Sequence, residues 1–399
     1  MISAAKAKGI ILKNIKIKKP QRAPLSGALD LVLARDIKAA NSLPLFSNSA
    51  MDGFAVKSKD TKSASEEMPV KLRVVGDLPA GFYSRRSLKH GEAIRIMTGA
   101  PLPRGADSVV MVENTKSDGK YVEIFKAARR GENVRQKGED VKTGEVVLKK
   151  GAVVTPQRIG MLAALGFKEV LAYPKIKVSI LATGEELIRP GEKLRPGKIR
   201  DANSYILSSL VTTLGAEAVE LGIVKDDLKE IGRKIKQGLK SDMLLISGGV
   251  SVGDYDYVKV ALDNLGIKRL FWKVAIKPGK PIVFGKVKNK PVFGVPGNPV
   301  SAFICFTEFI APAILKAMGK DYSDIYTSAI LGRDIRKEKG KRYFMSAILS
   351  DRNGKCYVTP IMPQNSAMLR PLSQANAILV LDEGSNCIKS GAEVKVKVL

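Results

Sequence analysis

Acidic side chains follow glycine-rich turns in the middle of the chain, a pattern that could hold a metal ion. The three turns are "ATGEEL" (182–187), "SGGVSVGDYD" (247–256) and "GVPGNPVS" (294–301). Their acids are Glu185, Glu186, Asp254 and Asp256, and Asp201 follows in "IRDANS". Carboxylates gathered in one cleft repel each other unless a cation is bound, and oxygen ligands favour a hard ion such as Mg²⁺. The alternative is that Glu186 and Asp254 only cap helices.

Lysines surround a Pro-Gly turn in "FWKVAIKPGKPIVFG", at Lys273, Lys277 and Lys280. Ammonium groups at such a turn could neutralise an oxyanion or a phosphate. They could equally be solvated turn lysines, and the charge pattern does not decide between the two interpretations.

Several common chemistries are disfavoured. The chain has one histidine, His90, and three cysteines without paired spacing, which argues against zinc sites and against Ser-His-Asp or Cys-His catalysis. Neither a P-loop nor a G-x-G-x-x-G opening a helix after a strand occurs, so an ordinary nucleoside triphosphatase or dinucleotide enzyme is disfavoured. The polar glycine turns at Asp52 and Asp140 mean little in isolation, because such turns are common between strands.

The elements that must position these groups alternate between strand and helix over residues 176–318. Strands are predicted at 176–182, 216–224, 243–247 and 270–275. Helices are predicted from apolar spacing at Leu228–Leu239 and Val258–Leu265, and from Pro299 to Gly319. This alternation predicts a parallel sheet with helices on both faces, and ligands bind such sheets at the carboxyl ends of the strands. The three glycine loops should therefore share one edge, where their amides can approach an anion.

The flanking segments predict different structure. Residues 322–399 contain short alternating runs typical of a small all-β sandwich or barrel, and residues 70–148 are also rich in strands. Residues 156–167 predict one amphipathic helix, and the first 45 or so residues predict helices or extended connectors.

Composition sets the outer limits. The 399 residues predict two to four domains. The net charge of +28 raises nucleic acid as a partner, but the 67 Lys and Arg are spread along the chain without interleaved aromatics, so a lysine-rich solvated surface is the preferred interpretation. We expect no membrane span, signal peptide or disulfide framework, and hence a cytoplasmic protein.

Seven segments, in order, resemble one family. They are "SAMDGFAV", "IMTGAPLPRGADSVVMVE", "GENVRQKGED", "LATGEEL", "SGGVSVGDYDYVK", "AIKPGKP" and "GVPGNPVSA". They resemble the molybdopterin molybdenumtransferases, the family of bacterial MoeA and of the C-terminal domain of gephyrin, from about residue 30 to residue 399.

The resemblance implies the insertion of molybdate or tungstate into adenylylated molybdopterin with release of AMP, using Mg²⁺. It also implies a homodimer whose cleft is shared between chains. The implied fold is multidomain α/β plus β, with a central three-layer α/β domain that has a mostly parallel sheet. The implied domains are a partly helical connecting domain (1–50 and 141–175), a small β-rich domain (51–140), the α/β molybdopterin-binding domain (176–321) and a C-terminal β-barrel (322–399).

Site residues are carried over motif by motif. The acidic cleft residues are Asp52, Asp140, Glu186, Asp226 and Asp256, of which Glu186 and Asp256 would hold the metal. The substrate-binding positions are Thr98, Thr183, Gly184, Ser247, Gly248, Gly249, Ser251, Lys273, Lys277, Pro296, Gly297 and Pro299. Asp52 and Asp140 lie outside the α/β segment and would face the site of the partner chain.

Two other readings of the same fold stay open. The chain could adenylylate molybdopterin, since that enzyme shares the α/β domain, or it could be a scaffold without turnover. The connecting and small β domains favour metal insertion, and the filled acidic and lysine positions argue against a silent scaffold. A nucleic-acid-binding module is the weakest alternative.

Overall fold

The computed structural model describes residues 1–249, 257–323 and 325–399. The chain forms two compact units, and each is described by itself. The first comprises Met1–Ala23, Asp30–Ala34 and Leu171–Leu399, and the second comprises Pro24–Leu29 and Arg35–Val170. The finer four-domain division remains a prediction.

A six-stranded sheet forms the centre of the first unit. In spatial order its strands are Glu217–Val224, Lys177–Thr183, Met243–Ser247, Lys290–Val295, Val283–Val287 and Lys268–Trp272. The first four strands run parallel; three of them were predicted, and Lys290–Val295 was not. The strand predicted at 270–275 is instead the antiparallel edge strand Lys268–Trp272. The last two pair antiparallel, so the sheet is mixed.

A tight hairpin explains the antiparallel part of the sheet. Lys288 and Asn289 connect the strands Val283–Val287 and Lys290–Val295 with φ values of 47° and 69°. A two-residue turn with both φ values positive matches the twist of antiparallel strands, so no crossover helix is needed. The strand predicted at 270–275 ends at Trp272, because Lys273 has a φ of 69° and leaves the extended conformation.

Helices cover both faces of the sheet, which confirms the three-layer prediction. The helices after the strands are Asn203–Thr213, Leu228–Gly238, Tyr257–Asn264 and a long helix formed by Pro299–Cys305, Phe306–Ile310 and Ala311–Ala317. Met243 and Leu245 pack in one buried cluster and Leu244 and Ile246 in the other, because successive strand side chains point to opposite faces.

The long helix is a core element. By length and composition, residues Pro299–Ala317 could cross a membrane, whereas the sequence predicted no membrane span. However, 78% of this apolar stretch is buried inside the protein, as in the core helix of a globular protein. Its middle segment, Phe306–Ile310, is a π-helix in which the Ala311 amide donates to the Phe306 carbonyl. The wider turn ends two residues before Pro312, whose ring would otherwise clash with the preceding turn of an α-helix.

The N-terminal helix Ala4–Asn14 packs on this core. Ser3 caps it by accepting a hydrogen bond from the Lys6 amide at 3.2 Å. Ala7 and Ile11 are fully buried in the same cluster as the long helix. An extended stretch follows, including the strand Gln21–Pro24.

The C-terminal segment forms a closed five-stranded barrel, which decides between the predicted sandwich and barrel. Its strands are Thr327–Leu331, Arg342–Arg352, Lys355–Pro360, Ala377–Leu381 and Glu393–Val398. The barrel closes because Arg342–Arg352 pairs with both Lys355–Pro360 and Ala377–Leu381. The short strand Ile276–Lys277 extends the sheet by pairing with Arg342 and Tyr343, and the helix Leu369–Gln374 follows the loop near Ser366.

The second unit contains a six-stranded sheet, as its strand-rich sequence predicted. In spatial order its strands are Ser108–Met111, Gly53–Val56, Glu92–Ile96, Val70–Leu78, Tyr121–Ile124 and Thr115–Ser117. The predicted helix at 156–167 is observed at Pro156–Ala164, capped by the Thr155 hydroxyl. It ends early because Gly166 takes a φ of 83°.

Candidate active site

A cavity of about 600 Å³ lies at the carboxyl ends of the parallel strands. Most of its lining comes from the loops that follow the strands and from the start of the helix Asn203–Thr213. The lining residues that were predicted to bind substrate or to act as acids are Thr183, Gly184, Glu186, Asp226, Ser247, Gly248, Gly249, Pro296, Gly297 and Pro299. All three glycine loops therefore reach one space.

Glycine is required at the floor of this cavity. Gly248 has a φ of 88°, and a Cβ there would press into the carbonyl oxygen of Thr183. Its amide donates to the Val295 carbonyl at 3.2 Å, which joins the end of one strand to the end of the next. Because Gly248 has no side chain, the backbone of its loop lies against Thr183 and can also approach a ligand closely.

The acids gather on one side of the cavity. Burial, together with the nearby carboxylates of Glu185 and Glu186, raises the pKa of Asp226 above its ordinary value. The Asp226 amide donates to Glu185 Oε1 at 3.3 Å, which holds the two loops together. The like charges of Glu185 and Glu186 destabilise the ionised form of Asp226, so a cation would be favoured here.

Gly184 leaves room for the Glu186 carboxylate. A Cβ on Gly184 would lie 2.5 Å from Glu186 Oε2 and 2.8 Å from Oε1. The side chain of Glu186 therefore folds over the loop backbone, and any larger residue at 184 would displace it. The order Gly-Glu-Glu in this loop has a steric reason.

Some lining residues were missed in the sequence. Arg200, Asn203 and Asn298 line the cavity, and Arg200 adds a guanidinium to it. The motif "IRDANS" holds two of them, but only its acid was singled out. Asn203 follows no charge or glycine pattern, so its role depends on contacts that only the fold creates.

Asp201 fits the structural interpretation of the acids. It is 4% exposed, and its Oδ1 accepts the Ser204 amide at 3.1 Å. It thus satisfies a free amide in the first turn of the helix Asn203–Thr213.

The segment between the barrel strands Lys355–Pro360 and Ala377–Leu381 also reaches the cavity. Ala367 and Leu369 line it. Ser366 bonds both the "VPGNP" loop and the residue that follows it: its hydroxyl accepts from Asn298 Nδ2 at 2.9 Å and its carbonyl accepts from the Val300 amide at 3.1 Å.

The two predicted lysines are not among the residues that line the cavity. Lys277 Nζ lies 3.5 Å from Glu338 Oε1 and over the Tyr343 ring. Lys273 Nζ lies 5.7 Å from the centre of the Trp272 ring. From this turn, Pro281 lines the cavity. The role of Lys273 and Lys277 as anion-binding groups stays a prediction.

Asp52, Thr98 and Asp140 belong to the second unit. Asp52 Oδ1 accepts the Thr98 hydroxyl and the Thr98 amide, both at 2.7 Å, and these bonds lower the pKa of Asp52. Asp140 is exposed, and its amide donates to the Leu43 carbonyl at 3.1 Å. Gly53 follows Asp52 because a Cβ there would overlap the Val110 carbonyl of the neighbouring strand.

Three predicted positions lie outside the described residues: Ser251, Asp254 and Asp256. Over the residues that the structure does describe, no three His, Cys, Asp or Glu side chains are grouped to hold a metal ion. The predicted metal pair of Glu186 and Asp256 is therefore described only at Glu186.

Comparison with known proteins gives the same family over the whole chain. Family models match at residues 2–166 (MoeA N-terminal region, domain I and II), 179–316 (probable molybdopterin binding domain) and 328–399 (MoeA C-terminal region, domain IV). Molybdopterin molybdenumtransferase 2 of Mycobacterium tuberculosis is 38% identical, covering 99% of both chains. The Bacillus subtilis molybdopterin molybdenumtransferase is 35% identical, covering 94% of this chain and 89% of its own.

Solved structures agree. The molybdopterin biosynthesis MoeA protein of Pyrococcus horikoshii OT3 is 33% identical with a TM-score of 0.80, covering 100% of both chains. A second crystal structure from that genus, also of a MoeA protein, has a TM-score of 0.85 at 30% identity and covers 100% of this chain and 99% of its own. The chain belongs to the molybdopterin molybdenumtransferase family, and the expected resemblance is confirmed.

Proposed function

We propose that this enzyme inserts molybdate or tungstate into adenylylated molybdopterin and releases AMP. Family membership makes it a transferase of molybdenum cofactor biosynthesis. The adenylylated substrate and the oxyanion are the further steps of the proposal. One observation supports them above all: a single cavity of about 600 Å³ is lined by three carboxylates, one guanidinium and three glycine loops.

The glycine side of the cavity suits an anionic ligand. The helix Asn203–Thr213 begins at the cavity, and Asp201 Oδ1 accepts the Ser204 amide of its first turn. The positive end of the helix dipole favours phosphate oxygens there. Arg200 adds a charge that can form paired hydrogen bonds with phosphate.

The acidic side suits Mg²⁺, which we propose as the bound cation. Its oxygen-only donors match a hard ion, and the raised pKa of Asp226 marks a place where added positive charge is favourable. Glu186 and Asp226, with Asp256 as predicted, would hold the ion. When bound, it would neutralise phosphate oxygens and polarise the phosphorus during AMP release.

We further propose a homodimer in which Asp52 and Asp140 face the cavity of the partner chain. Asp52 suits this role because Thr98 fixes its carboxylate and keeps it ionised on an exposed surface. A cytoplasmic location is also proposed, and it agrees with the three unpaired cysteines.

The test is AMP release from adenylylated molybdopterin with Mg²⁺, with molybdate and tungstate supplied separately. Release that depends on the oxyanion, with transfer of the metal to the pterin, supports the proposal and gives the metal preference. ATP-dependent adenylylation of free molybdopterin would instead identify the sister activity. Tight pterin binding without either reaction would identify a scaffold.

Glu186→Gln gives the matched test of the acidic side. It keeps the size of the side chain but removes the charge, so we expect AMP release to fall about 100-fold. Glu192→Gln is the control, because Glu192 is exposed and does not line the cavity, although it lies in the same segment between the strand Lys177–Thr183 and the helix Asn203–Thr213. Equal activity of the two variants would contradict a role for Glu186.

A further inference from the structure

Asn203 joins two loops of the cavity floor. Its side chain is buried, and Nδ2 donates to Ser247 Oγ at 2.8 Å and to the Gly297 carbonyl at 2.9 Å. Ser247 and Val295 are opposite each other on adjacent parallel strands, so Asn203 spans the ends of both strands from a third element. Both bonded residues line the cavity.

The orientation of the Asn203 amide is fixed by chemistry. The Gly297 carbonyl can only accept a hydrogen bond, so the amide nitrogen must face it. The other N–H of the same nitrogen then points to Ser247 Oγ, which acts as the acceptor. The Asn203 amide group therefore decides the direction of the Ser247 hydroxyl.

The Ser247 hydroxyl can also donate a hydrogen bond of its own. Across the described residues no acceptor for it is found, and Thr183 Oγ1 bonds the Ser247 carbonyl at 3.4 Å rather than its hydroxyl. A buried hydroxyl without an acceptor costs free energy unless a ligand supplies one. Ser247 is 3% exposed and lies at the cavity.

We propose that Asn203 is a positioning residue that makes the Ser247 hydroxyl a hydrogen-bond donor to a charged oxygen of the pterin substrate. The inference rests on the proposed function, because it needs the cavity to hold that substrate. Asn203 does not touch the reacting atoms in this role. It acts through Ser247 and through the loop at Gly297.

The test is a double-mutant cycle on the binding of adenylylated molybdopterin. Ser247→Ala removes the donor, and we expect the Kd to rise about tenfold, since a hydrogen bond to a charged oxygen is lost. Ser247→Thr keeps a hydroxyl and should stay within about threefold of the wild type. Asn203→Asp has the same shape but would accept the Ser247 proton, so it should weaken binding at least as much as Ser247→Ala.

The energetic coupling between the Asn203 and Ser247 substitutions distinguishes a positioning role of Asn203 from a general contribution to folding. The double variant Asn203→Asp, Ser247→Ala should bind no more weakly than Asn203→Asp alone, because the donor is already withdrawn. Ser209→Ala, on the exposed side of the same helix, is the control and should bind like the wild type. Circular dichroism melting checks that each variant is folded, and Asn203→Ser replaces Asn203→Asp if the latter is not.

Additive effects of the two substitutions, or unchanged binding in Asn203→Asp, would overturn the inference. Either result can occur while the wild type still releases AMP, and then the proposed function stands without it. A wild type that releases no AMP would instead count against the proposed function.

Discussion

Gly248→Ala tests whether the cavity floor depends on a close approach of backbone. Gly248 has a φ of 88°, and the added Cβ would press into the Thr183 carbonyl and lie 3.2 Å from Thr183 Oγ1. Gly266→Ala is the matched control: its φ is 73°, but a Cβ there has no atom within 4 Å. Both substitutions place an alanine at a positive φ, but only Gly248→Ala also brings a Cβ against the Thr183 carbonyl.

The magnitudes follow from that difference. A left-handed alanine costs about 1–2 kcal/mol, which is the whole expected effect for Gly266→Ala. Gly248→Ala must also displace backbone that is tied to neighbouring strands, which adds about 1–3 kcal/mol. We therefore expect Gly248→Ala to destabilise the protein by about 2–5 kcal/mol.

Calorimetric unfolding and pterin binding measure the two consequences. The unit that contains both glycines should melt lower in Gly248→Ala than in Gly266→Ala, and melting is compared by transition because two compact units need not unfold together. Gly248→Ala should lose molybdopterin binding, and Gly266→Ala should keep it. If the two variants had equal melting temperatures and equal affinities for molybdopterin, the cavity floor would not depend on the close contact between Gly248 and Thr183.

Two further predictions concern charge. Because the pKa of Asp226 is raised, the folded protein holds its proton more tightly than the unfolded chain, and stability contributed by this group falls as pH rises through the interval above its ordinary value of 3.8. Asp226→Asn should therefore raise the melting temperature at pH 7 but not at pH 3, and should reduce the stabilisation by Mg²⁺; an equal shift at both pH values would contradict this reasoning. Lys397→Met should destabilise by about 1–3 kcal/mol in chemical denaturation, because Lys397 Nζ lies 2.9 Å from Glu308 Oε1, whose side chain is 4% exposed, while Lys8 Nζ still lies 3.9 Å from Glu308 Oε2. The exposed pair of Lys395 with Asp382 at 3.5 Å gives the control, and Lys395→Met should cost at most about 1 kcal/mol.

The sequence predicted the alternating core well because burial and periodicity are local signals. Strands at 216–224 and 243–247 are observed at Glu217–Val224 and Met243–Ser247. The hairpin at Lys288 and Asn289 was missed, since Lys-Asn is a weak turn signal and its positive φ values arise from the pairing of the strands around it. Closure of the barrel was also beyond local patterns, because it depends on which distant strands meet.

The site divides in the same way. Glycines at strand ends were found because glycine reports a backbone requirement directly, as at Gly184 and Gly248. Asn203 was missed because an asparagine at a helix start has an ordinary explanation as a cap. Its two bonds join residues 44 and 94 positions away in the chain, and no local pattern predicts such contacts.

The charges of the cavity differ from those of the chain as a whole. The protein carries 67 Lys and Arg against 39 Asp and Glu, so a carboxylate usually finds a basic neighbour. For Asp226 the charged neighbours that raise its pKa are Glu185 and Glu186. Placing carboxylates close together costs free energy through repulsion between like charges, and carboxylates spread over the surface would avoid that cost. The proposed Mg²⁺ would offset that cost, and it would attract phosphate oxygens to the acidic side of the cavity.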